Sequence, residues 1–182
     1  MSHIPTPATI DDAPEASRPI LESVQKQLGR VPNIFRLVSN SPAALSGWTA
    51  FQGALGKGTL PHATRERIAL VMAEVNGCEY CLSAHTFTGG KFAKLDESEI
   101  AANRRGSSND ARAAAAVEFA KALAVARGTV GPRAIETVRA AGYSDAEILE
   151  IIGHVALNTF TNYVNEALDT EIDFPRIDHV AA

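Results

Sequence analysis

Residues 61–76, PHATRERIALVMAEVN, run directly into residues 77–88, GCEYCLSAHTFT, and the reading of these two segments decides the fold. The first segment places Ile68, Leu70, Val71, Met72 and Val75 so densely that its second half is apolar all round, as in a buried central helix. Asn76-Gly77 breaks it, because both residues tolerate the left-handed conformation that closes helices. A second helix is then expected from Cys78 to about Thr88, stopping before Gly89-Gly90.

Outward from this pair the same pattern continues. Apolar residues recur at spacings of three and four, alanine is abundant and β-branched alternation is scarce, which predicts an all-α fold. A proline-rich arm over residues 1–13 precedes a helix from Pro14 to Leu28, ended by Gly29. Further helices are expected over Pro32–Val38, Pro42–Leu55 (capped by Ser41), Asp96–Asn103, Asn109–Arg127, Pro132–Ala141 and Ser144–Leu168. Ser144 and Glu147 have the spacing of a capping box. Residues 106–110 read as a loop without a shift in composition, so residues 1–182 form one domain. A faint likeness between Glu66–His85 and Glu147–Ala167 is compatible with an internal duplication.

A chain of 182 residues, 46% hydrophobic, is long enough to bury a core without metal or disulfide staples. Its net charge of -4 gives no general attraction to phosphate backbones or anionic membranes, so neither nucleic acid nor a membrane is an expected partner. The first twenty residues hold Pro5, Pro7, Asp11, Asp12 and Pro14 and no apolar run of the secretory type. The longest strongly apolar stretch, Ile68–Ala73, stops at Glu74, far short of a bilayer span. A cytoplasmic protein is expected, in which thiols stay reduced unless they are transient and catalytic.

The two cysteines, Cys78 and Cys81, form a C-x-x-C, a separation that two randomly placed cysteines would show in only about 1% of cases. They could pack as small hydrophobes, but Asn76, Glu79, Tyr80 and Ser83 make the surroundings polar. A structural disulfide would close too short a loop to stabilise much. Zinc needs four ligands, and Cys78, Cys81 and His85 supply three, with His62 or His154 a distant fourth. The redox reading fits best. On a helix of about 100° per residue, Cys78, Cys81 and His85 project from one face. His85, one turn beyond Cys81, can take its proton, and a helix start at Gly77-Cys78 favours thiolate. Two acids could orient the histidine: Glu66, on the preceding helix, or Glu74, one turn before Cys78. Spacing does not choose between them.

The run Arg65-Glu66-Arg67 followed by Ala73-Glu74-Val75-Asn76-Gly77-Cys78-Glu79-Tyr80-Cys81-Leu82-Ser83-Ala84-His85 resembles the core of the alkylhydroperoxidase D-like, carboxymuconolactone decarboxylase superfamily. The pattern is an acid twelve residues before C-x-x-C and a histidine four after its second cysteine. Val31-Pro32-Asn33-Ile34-Phe35 and Asn158-Thr159-Phe160-Thr161-Asn162-Tyr163 extend the resemblance, which is strongest to the peroxidase-related subgroup. It implies an all-helical bundle that assembles as a homo-oligomer, often a trimer or hexamer, and a peroxidase that reduces hydroperoxides with an external dithiol, thioredoxin or lipoyl-type reductant. No cofactor or metal is implied. By position Cys81 corresponds to the peroxide-attacking thiol, Cys78 to the resolving one, and Glu66 and His85 to the proton relay. The resemblance thus favours Glu66 over Glu74. Tyr80 stands where the best-known members carry a second histidine, and a phenol cannot replace an imidazole base near neutral pH. Decarboxylase relatives lack the dithiol.

Two other functions are compatible with these residues: a metal-binding or redox-sensing oligomer whose thiols regulate assembly, and a non-redox acid-base enzyme, decarboxylase-like, using His85 or His154. His154 and Asn158, four apart on the last helix, could reach the site or be satisfied structural groups. Trp48 and Phe51 read as core or subunit interface, and Arg104-Arg105 as a solvated turn. Gly53, Gly56 and Gly58 have neither a preceding strand nor a G-K-[ST], so they do not form a nucleotide loop.

Overall fold

The computed structural model describes residues 2–179, and among them there are helices and no strands. A short 3-10 turn, Glu15–Ser17, leads into α1 (Arg18–Leu28), followed by α2 (Asn33–Val38), α3 (Pro42–Gly56), α4 (His62–Val75), α5 (Glu79–Lys91), α6 (Glu97–Arg104), α7 (Ala111–Val125), α8 (Gly131–Ala140) and α9 (Asp145–Leu168). No helix among the described residues is long and apolar enough to cross a membrane.

The central helix is α4, which packs against α5, α6, α7 and α9. Its all-round hydrophobicity has a direct cause: it separates two cores. Leu70 and Ala73 belong to a cluster with Trp48, Tyr80, Leu82 and Leu157, while Ile68, Val71 and Met72 belong to another with Val117, Phe119, Val138 and Ile151. A helix buried on both sides has no solvated stripe, so its apolar residues show no single face.

Asn76-Gly77 closes α4 as its chemistry predicts. Gly77 adopts φ +68°, its N–H bonds Glu74 O at 3.2 Å, and the N–H of Cys78 reaches Ala73 O at 2.8 Å. This paired closure satisfies the last carbonyls of α4 and reverses the chain within three residues. Cys78 therefore ends one motif and begins the next, as the N-cap of α5.

Several boundaries differ from the sequence reading. Helix α5 runs through Gly89-Gly90 to Lys91. A Cβ at Gly89 would meet Leu95 Cδ1 at 3.3 Å and Glu66 Cβ at 3.9 Å, so this glycine permits close packing and does not terminate the helix. Arg104 is no solvated turn residue: it ends α6 and bonds Glu74 Oε2 at 2.8 Å through Nε. The first helix opens with a separate 3-10 turn and does not run unbroken from Pro14. The Ser41 cap and the Ser144–Glu147 capping box both form.

The arm and the tail are both fastened to the bundle. His3 N bonds Leu168 O at 2.8 Å, and Arg36 reaches the carbonyls of Pro7 and Ala8. After α9 the chain crosses the start of α5, burying Ile172, Phe174 and Ile177 against the cluster that holds both cysteines.

Candidate active site

The site lies where α4, α5, α9 and the tail converge on the start of α5. Cys78, as N-cap, has extended backbone and its Sγ accepts the N–H of Cys81 at 3.3 Å. Cys81 occupies the first turn, where unpaired amides and the helix dipole favour an anion. Both cysteines are free and buried, and they approach to 3.0 Å.

The two thiols are electrostatically unequal. Burial opposes ionisation of Cys81, but the Cys78 hydrogen bond, the charge of His85, and the amides of Asn162 and Asn165 outweigh it and bring its pKa to about 7. Asn165 Nδ2 donates to Cys81 Sγ at 3.1 Å. Asn162 accepts from Asn76 Nδ2 at 2.8 Å, and its own buried NH2 adds polarisation without closing a hydrogen bond. Cys78 is driven in the opposite direction: its interaction with Cys81, burial and the nearby Glu166 carboxylate all keep it protonated. One thiol is thus favoured as thiolate and its neighbour as neutral thiol.

Behind Cys81 stands a proton-handling pair. His85 Nδ1 contacts Glu66 Oε2 at 3.0 Å, and Thr88 Oγ1 donates to the same oxygen at 2.7 Å. His62 Nε2 lies 3.4 Å from Glu66 Oε1. Burial disfavours charge on both partners of the Glu66–His85 pair, yet their mutual attraction wins, lowering the carboxyl and raising the imidazole. A charged imidazole beside Cys81 in turn favours thiolate.

Of the acids left open by spacing, the structure brings Glu66 to His85 and gives Glu74 to Arg104. Tyr80 serves a structural purpose. Its hydroxyl accepts from Ile34 N at 3.3 Å and donates to Asp173 Oδ1 at 2.8 Å, fastening the tail over α5. Burial and the Asp173 carboxylate push its phenol up, so it stays a donor. His154 is buried and lowered to about 4, first by burial and then by Arg65; its Nε2 has no hydrogen-bond partner among the described residues. Asn158 bonds the His154 carbonyl at 2.8 Å. Trp48 is core, stacked on Phe35, whereas Phe51 is exposed. Among the described residues no group of three or more His, Cys, Asp or Glu side chains is arranged to hold a metal, so the zinc set is not assembled.

Sequence reasoning missed Asn165 and Glu166 and assigned no role to Asn162 or Thr88. A signal was present: Asn158, Asn162 and Asn165 repeat at spacings of four and three within an otherwise apolar helix, placing three buried amides on one face. A cleft of about 490 Å³ opens beside this face, walled by Gly77, Glu79, Tyr80, Asn165 and Glu166 and by residues of the tail.

Residues 42–127 match the carboxymuconolactone decarboxylase family. A peroxidase-related protein from Ralstonia eutropha JMP134, described as an alkylhydroperoxidase AhpD core, superposes with a TM-score of 0.84 at 25% identity, covering 94% of this chain and 92% of that one. The chain thus carries the sequence pattern of the carboxymuconolactone decarboxylase family over residues 42–127 and has the fold of an alkylhydroperoxidase D-like protein. A second peroxidase-related protein of the same fold, from Silicibacter sp. TM1040, has a TM-score of 0.79 at 26% identity, over 97% of this chain and 92% of that one. The debrominase Bmp8, solved as a cysteine-to-alanine variant in complex with 2,3,4-tribromopyrrole, shares this fold at 22% identity and TM-score 0.77, over 95% and 94% of the two chains. No curated protein matches the sequence. The same helical fold is thus found in proteins described as peroxidase-related and in a debrominase.

Proposed function

We propose that the protein is a thiol-dependent peroxidase that reduces alkyl hydroperoxides through a dithiol–disulfide cycle. The observation that carries this reading is the asymmetry of the pair: Cys81 lowered to about 7, in contact with a Cys78 held neutral. Cys81 thiolate attacks the terminal peroxide oxygen, the O–O bond breaks, and the departing alkoxide takes a proton from charged His85. Cys78 then displaces hydroxide from the resulting sulfenic acid, giving a disulfide that an external dithiol, of thioredoxin or lipoyl type, reduces. Such a cycle suits a reducing, cytoplasmic setting.

Stopped-flow consumption of an alkyl hydroperoxide with a dithiol reductant tests the proposal. Cys81→Ser is expected to abolish turnover, and Cys78→Ser to leave a single turnover that stops at sulfenic acid. Equal rates in wild type and Cys81→Ser would sink it. The same thiolate attack on a halogen would begin a debromination, so 2,3,4-tribromopyrrole belongs in the assay as a second electrophile.

Homo-oligomeric assembly is part of this reading. An apolar groove of about 310 Å³ runs between α3 and α9, with Phe51 and Phe160 about 40% exposed at its walls. This apolar groove, open on one side, supports a subunit contact at this face. Light scattering should give a trimer or hexamer; a monomer at micromolar concentration would refute this part.

A further inference from the structure

The cleft of about 490 Å³ beside α5 is also where α9 ends, and its wall there is short of hydrogen-bond donors. The helix closes through Asp169, at φ +49°, and Thr170 N bonds Asn165 O at 3.1 Å, which sets Asn165 and Thr170 side by side in the lining. Both residues are more than nine-tenths buried. Asn165 spends its Nδ2 on Cys81 Sγ at 3.1 Å, but its Oδ1 has no partner among the described residues, and neither has Thr170 Oγ1. The nitrogen and oxygen of an amide point apart, so an Nδ2 turned to the sulfur leaves Oδ1 for the cleft. A buried polar atom without a partner is costly, and a donor bound in the cleft would relieve both.

The charge of the wall specifies that donor. Glu79, Glu166, Asp169 and Glu171 line the cleft against Arg176 and His179. Both bases are already turned to Glu79: His179 Nδ1 lies 3.5 Å from its carboxylate, and Arg176 is shared between Glu79 and Asp178. Neither Glu166 nor Glu171 forms a salt bridge among the described residues. Helix α9 adds the negative end of its dipole, with no basic residue in its last turn to offset it. Burial first, then the charges of Glu79 and Asp169, raise the Glu166 carboxyl, as expected where positive charge is lacking. Among the described residues no group is arranged to hold a metal. Two neutral acceptors flanked by carboxylates suit instead the N–H groups of an ammonium ion.

We propose that the cleft binds an organic ammonium ion, a primary amine whose N–H groups take Asn165 Oδ1 and Thr170 Oγ1 and whose charge is met by Glu166 and Glu171. Through Asn165 this ligand also reaches the thiol. An N–H on Oδ1 polarises the amide and strengthens the Nδ2 donor on Cys81 Sγ, so an occupied cleft favours the thiolate.

Calorimetric titration of the full-length protein with the diamine putrescine should give saturable binding at millimolar concentration or below. Thr170→Val and Glu166→Gln should each weaken it about 10-fold, and so should permethylation of the diamine, which keeps both charges and removes every N–H. At a pH about one unit below the Cys81 midpoint, saturating putrescine should speed alkylation by iodoacetamide about threefold. In Asn165→Ala, at a concentration saturating for that variant, it should not. No saturable heat would show that the two oxygens hold only water, and equal binding of the permethylated diamine would leave general charge attraction; either result overturns the site. An acceleration that survives Asn165→Ala overturns its link to Cys81. Neither measurement uses a peroxide, so both stand apart from the peroxidase reading.

Discussion

The thiolate of Cys81 is held by groups that reach it from three directions: the Cys78 sulfur, the His85 charge and the asparagine amides of α9. Its alkylation by iodoacetamide should therefore rise with pH through a midpoint of about 7. Replacing Asn165 by alanine removes one donor to an anion, a loss of about 1.5–3 kcal/mol. The midpoint should move up by about one to two units, slowing reaction at pH 7 by about 5- to 50-fold; an unmoved midpoint would refute the amide's role. At this scale the sequence revealed what local spacing controls. Cys78, Cys81 and His85 fall within two turns, so their shared surface could be read directly. Asn165 lies 84 residues downstream of Cys81, and nothing in its local pattern says that it meets a thiol. The choice of Glu66 over Glu74 was of the same kind, settled by the way α4 crosses α5.

Among the elements, the tail following α9 does most to enclose the site. Asp173 takes hydrogen bonds from Tyr80 and Asn33 and pairs with Arg30, while Phe174 meets Tyr80 edge-on at 5.8 Å and Arg30 lies over its ring. Phe174→Ala should loosen this strap and speed alkylation of Cys81 by a bulky maleimide several-fold, with the helical circular dichroism unchanged. An equal rate would show that the strap does not gate access. A second element is held by charge. Glu99 of α6, 6% exposed, receives Arg67 Nε at 2.6 Å, Ser108, Asn103 and the N–H of Asn109. Glu99→Ala leaves the partly buried Arg67 guanidinium without this partner and should cost about 3 kcal/mol in urea unfolding. A loss under about 1 kcal/mol would contradict that account. The helices themselves were legible because capping residues and the apolar period act within a few positions. The extension of α5 through Gly89-Gly90 was not, since the reason for those glycines is a neighbour, Leu95, closing on the helix.

Over the whole molecule, stability should fall on acidification through two groups, one basic and one acidic, whose folded pKa values both lie below their unfolded ones. His154 has its folded pKa depressed to about 4, so its contribution is present above its unfolded value of about 6.5 and is lost as pH falls from there to about 4. At 1.36 kcal/mol per unit this amounts to at most about 3 kcal/mol. Glu99, lowered to about 2, contributes above about pH 4.5 and is lost below it. Urea unfolding should thus show stability declining in two stages on acidification, and His154→Leu should flatten the upper one. A wild-type curve already flat between pH 6.5 and 4 would disprove the buried neutral histidine. By itself the sequence determined the all-helical class, most helix limits, the break at Asn76-Gly77 and the juxtaposition of Cys78 and Cys81, because each depends on residues within a turn or two of one another. Only the tertiary structure decided which acid meets His85, that α9 supplies an amide to Cys81, and that Tyr80 anchors the tail. Those contacts depend on which helix faces are driven together as two cores close around α4, and helical periodicity fixes a face without naming its partner.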